Sequence, residues 1–480
     1  MRGDIAARSN FSDFRSVSKS NDKHRLVVSY MSNGLVRLQA SVIIVSMSFL
    51  CFSVRTHFQR FAPNHRWRSG IVLSSLFLGV LLSRAQEESS QNESEVRADV
   101  GQFYPGLQEN ADDRPGALSY LARDWDDREE WRLAGRAKMH ELLAYDPPQG
   151  PLNPKIIETV PKDGFTRYRV RYSVTANRET EAFLLIPNGL KKPAPAVLAI
   201  HDHGGFYYFG KEKITETENP PGILTRFIER SYGGRTYADE LARRGFVVLV
   251  PDGFYFGSQR IDADAVNGRF AGDLRDLEPE ATRDDSIQRF NRFASSHETL
   301  MAKTIFTAGA TWPGILFQGD RASIDYLLTR PEVDGNRIGC MGLSIGGFRS
   351  AHLTGLDSRI KAAVVAGWMT SYGSLLKNHL RSHTWMIYVP GQLQHLDLPD
   401  VASLNAPRPL MVINCLQDRL FTLEGMQDAE KKLAAIYDKM DARDQFLCRY
   451  YDVPHSLNKE MQDNAIDWLT RWLKPGESEE

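Results

Sequence analysis

Gly342-Leu343-Ser344-Ile345-Gly346-Gly347 closes an apolar run over residues 337–343 and opens a helix-forming segment over residues 348–356. A turn that passes from strand to helix in so few residues leaves no room for bulk two positions before and two positions after its apex. Gly342 and Gly346 stand at those two positions. The turn lifts the serine hydroxyl clear of the sheet, at the N-terminus of the following helix. In a chain with 36 glycines the pentapeptide alone is a weak signal. The apolar strand before it and the helix after it are independent conditions, and they strengthen the reading.

Working outward, residues 194–201, 246–251, 360–367, 409–416 and 446–453 are further short apolar runs bounded by Gly, Pro or Asp. Continuous apolar runs suit strands buried on both faces, as in a parallel sheet covered by helices. Residues 167–174 and 179–186 alternate instead and predict an antiparallel pair. Helical patterns at 237–244, 321–329, 348–356, 423–439 and 458–473 separate the strands. The expectation is an α/β fold: a mostly parallel eight-stranded sheet with helices on both faces, over residues 165–475. Residues 253–312 fit neither pattern and are expected to be an inserted lid over the sheet's C-terminal edge. Residues 96–150, with Trp125, Trp131, Met139 and Leu143 punctuated by charges and ended by Pro147 and Pro148, predict an N-terminal helical arm.

A serine hydroxyl is a poor nucleophile at neutral pH, so a base must take its proton and a third group must orient the base. In chain order an acid and then a histidine are expected downstream. Gln417-Asp418-Arg419 follows the run at 409–416 and places Asp418 in the loop just past a strand end. Glu424 and Asp428, one helical turn apart, read as the solvated face of the next helix. Val453-Pro454-His455-Ser456 follows the last strand, and no other histidine lies beyond Asp418. Ser344, Asp418 and His455 are therefore the candidate nucleophile, acid and base. Two backbone N–H groups are needed to receive developing negative charge. Ile345 supplies the first, and the loop His201-Asp202-His203-Gly204-Gly205-Phe206 the second, from His203 with Gly204 as the next choice. His201, Asp202 and His203 could instead be metal ligands, but adjacent residues on a strand alternate faces and no matching cluster accompanies them. No metal and no cofactor is expected.

The chain has 480 residues, of which 42% are hydrophobic and 25% charged, values of a globular protein with a sizeable core. Residues 1–68 hold 11 Lys+Arg and 3 Asp+Glu, a net of +8, which leaves −9 for the rest of a chain of net charge −1. A nucleic-acid partner is not expected, because the basic excess sits in the segment least suited to fold. The apolar stretches 40–54 and 71–82 are both shorter than the ~20 residues that span a bilayer. The second follows Arg66 and Arg68 and ends in Ser83-Arg84-Ala85, so 1–85 reads as a targeting region with a signal peptide at about 69–85. The expected location is secreted or periplasmic. The alternatives are an uncleaved N-terminal membrane anchor, or a start site upstream of the true one. Cys340, Cys415 and Cys448 each lie in an apolar run and read as buried free thiols.

At this point the sequence resembles the α/β-hydrolase superfamily over about residues 165–475, and within it the dienelactone-hydrolase and acetyl-xylan-esterase-like branch of bacterial serine esterases. The carriers are the His201–Phe206 loop, Pro251-Asp252-Gly253, Trp312-Pro313-Gly314, Arg330-Pro331-Glu332-Val333-Asp334 and the turn at Ser344. The segment around Trp131–Leu143 also looks like the N-terminal part of such esterases. The resemblance implies hydrolysis of a small-molecule or carbohydrate carboxylic ester through an acyl-enzyme on Ser344. Dienelactone hydrolases proper use cysteine where this chain has Ser344, so the resemblance does not carry their substrate over. Two other readings share the fold. One is a serine peptidase resembling the prolyl oligopeptidase catalytic domain, against which the roughly 80 residues between the expected cleavage site after Ala85 and the first strand are too few for a β-propeller. The other is a non-catalytic binding module, which predicts a broken triad.

Overall fold

The computed structural model describes residues 97–112, 116–262, 264–268 and 283–474. The targeting expectation for residues 1–85 lies outside the described residues, as does part of the 253–312 stretch.

Nine strands form one sheet: β1 Lys155–Pro161, β2 Phe165–Thr175, β3 Arg178–Pro187, β4 Ala194–Ile200, β5 Val247–Pro251, β6 Val333–Leu343, β7 Ile360–Ala366, β8 Leu410–Cys415 and β9 Phe446–Tyr451. Their order across the sheet is β1-β2-β3-β5-β4-β6-β7-β8-β9. The β1–β2, β2–β3 and β3–β5 pairs are antiparallel, and from β5 to β9 every pair is parallel. The sheet is thus mostly parallel, as the sequence predicts, with one strand more than the eight expected. The extra strand, β1, is an edge strand whose residues are mostly exposed, Ile156 and Ile157 included. Without a buried face it shows neither an alternating nor a continuous apolar pattern.

The central strands alternate between two cores. Ala196, Leu198 and Ile200 of β4 face one, and Val197 and Ala199 the other. The described helices are α1 Tyr104–Asp112, α2 Arg128–Leu143, α3 Gly222–Tyr232, α4 Tyr237–Arg243, α5 Asp284–Thr307, α6 Trp312–Leu328, α7 Ile345–Leu356, α8 Leu398–Ser403, α9 Leu423–Lys439 and α10 Lys459–Leu473. Helices α2, α6, α7 and α9 supply the first core; α3, α4 and α10 supply the second. Burying both faces is what permits the continuous apolar runs.

Helix α6 begins at Trp312, nine positions before the expected 321. Pro313 and Gly314 read as breakers, but Pro is tolerated in a first turn, and the Thr311 hydroxyl accepts from the Gly314 N–H at 3.0 Å to cap it. Gly314 is also required there, since a Cβ would sit 2.2 Å from the Leu143 carbonyl oxygen. Helix α7 begins at Ile345 rather than 348, with Gly346 and Gly347 lying inside the first turn. Arg349 of α7 grips Asp320 of α6 in a buried two-point pair, at 3.0 Å and 2.6 Å. Such a pair costs desolvation, so its contribution is to fix the two helices in register.

The chain leaves β4 towards β5 on one side and leaves β6 towards β7 on the other. Where neighbouring parallel strands send their connections apart, a crevice opens at their C-terminal ends. The loop after β4 begins at His201 and the turn after β6 is Ser344, so both border that crevice.

Candidate active site

Ser344 sits between β6 and α7 with φ 60° and ψ −124°, in the left-handed half of backbone space that a side chain rarely adopts. Close packing imposes the strain. A Cβ on Gly342 would lie 2.6 Å from the Ile200 carbonyl oxygen, and one on Gly346 2.3 Å from the same atom. The Ser344 N–H donates to the Ala366 carbonyl at 2.9 Å. The N–H groups of Ile345 and its neighbours open α7, where first-turn amides have no intrahelical acceptor and attract negative charge.

Asp418 lies past the end of β8 and His455 past the end of β9, and β8 and β9 pair in parallel. Neighbouring strand ends bring residues 37 positions apart into contact: His455 Nδ1 is 2.5 Å from Asp418 Oδ2. The other Asp418 oxygen accepts from the Leu420 N–H at 2.9 Å. The Asp418 side chain is almost fully buried and that of His455 about a quarter exposed, so the acid is shielded more completely than the base. Among the described residues His455 Nε2 has no hydrogen-bond partner. Ser344, Ile345 and His455 all line one cavity of about 430 Å³, together with His203, Gly204 and Trp368. Glu424 and Asp428, read from sequence as a solvated face, are on α9, and Asp428 pairs with Lys431.

The loop after β4 forms the opposite wall. Gly204 and Gly205 adopt φ of +56° and +67° in succession, a conformation that calls for glycine. The three polar residues of this loop point to different partners. His201 Nε2 accepts from the Gly253 N–H at 3.0 Å, Asp202 accepts from the Tyr232 hydroxyl at 2.6 Å, and His203 Nε2 lies 2.8 Å from Glu298. They do not converge as a ligand set would. Burial holds His201 well below the ordinary histidine range, with the nearby Lys213 and Arg349 adding to the effect.

Glu298, on α5, is the residue that sequence reasoning missed. Its buried carboxylate accepts from the Tyr207 hydroxyl at 2.7 Å, from His203 at 2.8 Å and from the Thr384 hydroxyl at 2.9 Å. Because the Gly205 N–H donates to His203 Nδ1 at 3.0 Å, it is Nε2 that carries the proton given to Glu298. Burial would push the Glu298 carboxyl up, but the bonds from His203, Tyr207 and Thr384 outweigh it and hold the group below its usual range. The far wall is aromatic: Trp368 packs edge-on against Phe348, Phe421 and His383. His383 is pushed down to about 4 by burial. A second, wider cavity of about 720 Å³ shares Gly204, Gly205 and Ser295 with the first.

The model of the dienelactone hydrolase family matches residues 232–467. A Bacillus subtilis (strain 168) protein provisionally named hydrolase YtaP is 24% identical over 343 residues, which cover 71% of this chain and 100% of that protein. A Bacteroides fragilis NCTC 9343 structure, provisionally named an acetyl xylan esterase, superposes with a TM-score of 0.56 at 17% identity, over 74% of this chain and 84% of that one. A glucuronoyl esterase from Solibacter usitatus superposes with a TM-score of 0.50 at 15% identity, over 74% of this chain and 97% of that one.

Proposed function

We propose that this chain, which has the α/β-hydrolase fold and matches the dienelactone hydrolase family over residues 232–467, hydrolyses carboxylic esters through an acyl-enzyme on Ser344, with acylated carbohydrate as the substrate class. The observation that carries the reading is the 2.5 Å contact between His455 and Asp418 at the cavity that Ser344 lines.

As Ser344 Oγ bonds to the ester carbonyl carbon, its proton passes to His455 Nε2. The Asp418 carboxylate holds Nδ1–H and stabilises the imidazolium that forms. Negative charge on the former carbonyl oxygen is received by the N–H of Ile345 and that of His203, with Gly204 next in line. Collapse breaks the ester C–O bond, and the leaving alkoxide takes the proton from His455. Water then repeats the sequence on the acyl-enzyme and releases the carboxylic acid. No cofactor enters these steps.

Carbohydrate is favoured by the cavity walls. The exposed indole of Trp385 offers an apolar face, while Ser295, Thr299 and Arg381 supply polar groups at the same rim. The stretch 253–312 is the proposed lid, with α5 as its longest described helix and Glu298 as its tie to the site. Export through a leader at 69–85 belongs to the same proposal. Among the described residues no helix is long and apolar enough to cross a membrane.

A fluorophosphonate probe applied to the wild type and to Ser344→Ala tests the nucleophile, followed by turnover of short-chain p-nitrophenyl esters, acetylated sugars and peptides. Labelling that depends on Ser344, with acetylated sugars preferred, supports the proposal. Labelling that persists in Ser344→Ala, or a preference for peptides, overturns it. N-terminal sequencing of protein from the native host is expected to start near Gln86, and an intact Met1 in a cytosolic fraction rules export out.

A further inference from the structure

Lys213 is fully buried, in a short turn over Lys211–Lys213 that packs beneath the loop after β4. A buried ammonium ordinarily finds a carboxylate, as Lys211 does with Asp252 at 2.8 Å two residues away. Lys213 does not: among the described residues no carboxylate lies within ion-pair distance of it. Its Nζ donates instead to two backbone carbonyls, that of Asp202 at 2.6 Å and that of His203 at 3.1 Å. It also lies 4.6 Å from the centre of the Phe256 ring, whose face attracts a cation. Asp202, the acid whose charge acts most strongly on Lys213, accepts at its carboxylate from the Tyr232 hydroxyl.

The two carbonyls belong to particular peptide groups. The Asp202 carbonyl shares its amide with the N–H of His203, and the His203 carbonyl shares its amide with the N–H of Gly204. These are the two candidate oxyanion donors from this loop. A cation on an amide oxygen draws electrons through the C–N bond and leaves the N–H more positive, the same cooperativity that strengthens chained hydrogen bonds in a dry interior.

We propose that Lys213 is a positioning residue of the oxyanion hole, which fixes the Asp202–Gly204 backbone and polarises the His203 and Gly204 N–H groups toward charge that develops at Ser344. The inference rests on Ser344 being the nucleophile. Its effect is felt where the substrate oxygen gains charge, so it lowers the barrier without tightening ground-state binding.

Burial lowers Lys213 to about 8; Asp202, Asp252 and Glu212 oppose the fall and Arg349 adds to it. The other groups that face it stay fixed from pH 7 to 9. His201 is held neutral by burial, Tyr232 is held protonated by burial, and Lys211 is held charged against burial by Asp252 and Glu212. His203 is bonded to Glu298 on its far side. Among these groups Lys213 is the one whose charge disappears as pH rises through about 8.

The test is steady-state turnover of p-nitrophenyl acetate by the wild type, Lys213→Met and Lys213→Gln between pH 6.5 and 9.5, with folding followed by circular dichroism. The expected result is an alkaline fall in wild-type kcat with a midpoint near 8. In the folded variants kcat should drop about 10- to 100-fold at pH 7, the alkaline fall should vanish, and KM should stay within about threefold, the pattern of a lost transition-state interaction. A flat wild-type kcat across that range overturns the proposal even if neither variant folds. An unchanged kcat in a folded variant, or a loss confined to KM, overturns it too. Activity surviving in Ser344→Ala would sink the nucleophile assignment instead, so the two failures are separable.

Discussion

Glu298 and His203, 95 positions apart in sequence, are joined at 2.8 Å across the mouth of the Ser344 cavity. The bond ties α5 to the loop that follows β4, and its direction is set by the Gly205 N–H on the other ring nitrogen. Glu298→Gln keeps the length but leaves Tyr207, His203 and Thr384 competing for one amide oxygen. Each donor that loses its acceptor in a buried site costs about 1–3 kcal/mol. The expected outcome is a kcat lowered about tenfold or more, since ~1.4 kcal/mol on the barrier is a factor of ten, with a smaller change in KM. Steady-state kinetics and thermal melts on the same preparation check it. Unchanged kcat alongside a lowered melting temperature would reduce Glu298 to a packing role.

The proposed triad members should fail in different ways. Ser344→Ala and His455→Ala remove groups that act as a unit, so each should lower kcat by several orders of magnitude with binding largely kept. Asp418→Asn keeps the shape and loses the charge on His455 Nδ1, a change worth about 10⁴ in kcat in the serine-protease triad. If Asp418→Asn retains near-full rate while Glu424→Gln does not, the acid has been misassigned.

Gly204 and Gly205 make a matched pair. Both have positive φ, which costs a side chain about 1–2 kcal/mol. Only at Gly204 would a Cβ also collide, at 2.4 Å from the Phe227 ring and 2.5 Å from the Asp202 carboxylate. At Gly205 the space is open. Gly204→Ala is expected to lower kcat at least tenfold more than Gly205→Ala. Equal effects would mean that the loop's exact path does not matter to turnover.

His352, on α7 behind Ser344, is fully buried, and burial pushes it down to about 4. Its Nδ1–H donates to the Phe348 carbonyl at 3.0 Å. In the unfolded chain it protonates near ~6.5. Between those values the unfolded state binds the extra proton, so stability falls as pH drops from about 6.5 and the loss is complete near 4. The full difference is on the order of 3 kcal/mol at ~1.4 kcal/mol per unit. Urea titrations of wild type and His352→Gln at pH 7 and pH 5 check it. The wild type should lose more stability over that interval than the variant; parallel losses would exclude His352 as the source.

The positions of Ser344, Asp418 and His455 past strand ends were legible because each strand announces itself: a short apolar run ended by a turn residue. The loop at His203 was legible through its paired glycines. Glu298 was not, because the sequence around it shows no strand pattern and no elbow. A signal for it does exist. On α5 the buried positions Ile287, Phe290, Ala294, Glu298, Ala302 and Ile305 follow helical spacing, and a carboxylate in that apolar stripe needs donors to meet it. Lys213 has no such signature. Two lysines in a Lys-Glu-Lys turn read as solvated, and only the tertiary packing of Phe256 and the 202–203 backbone encloses one of them. Edge strand β1 escaped for the opposite reason, being exposed where the sequence search looks for burial.

The indole of Trp368 lies beside Gly367, where an added Cβ would come within 3.1 Å of the His455 ring, and it lines the cavity that Ser344 lines. Indole emission is sensitive to a neighbouring imidazolium and to displaced water, so the chain carries its own optical reporter at the proposed reacting centre. With eight tryptophans in the sequence the signal must be isolated by difference against Trp368→Phe. Stopped-flow fluorescence would then follow the filling of the cavity and the formation and decay of the acyl-enzyme in real time, on unlabelled protein and with substrates that release no colour.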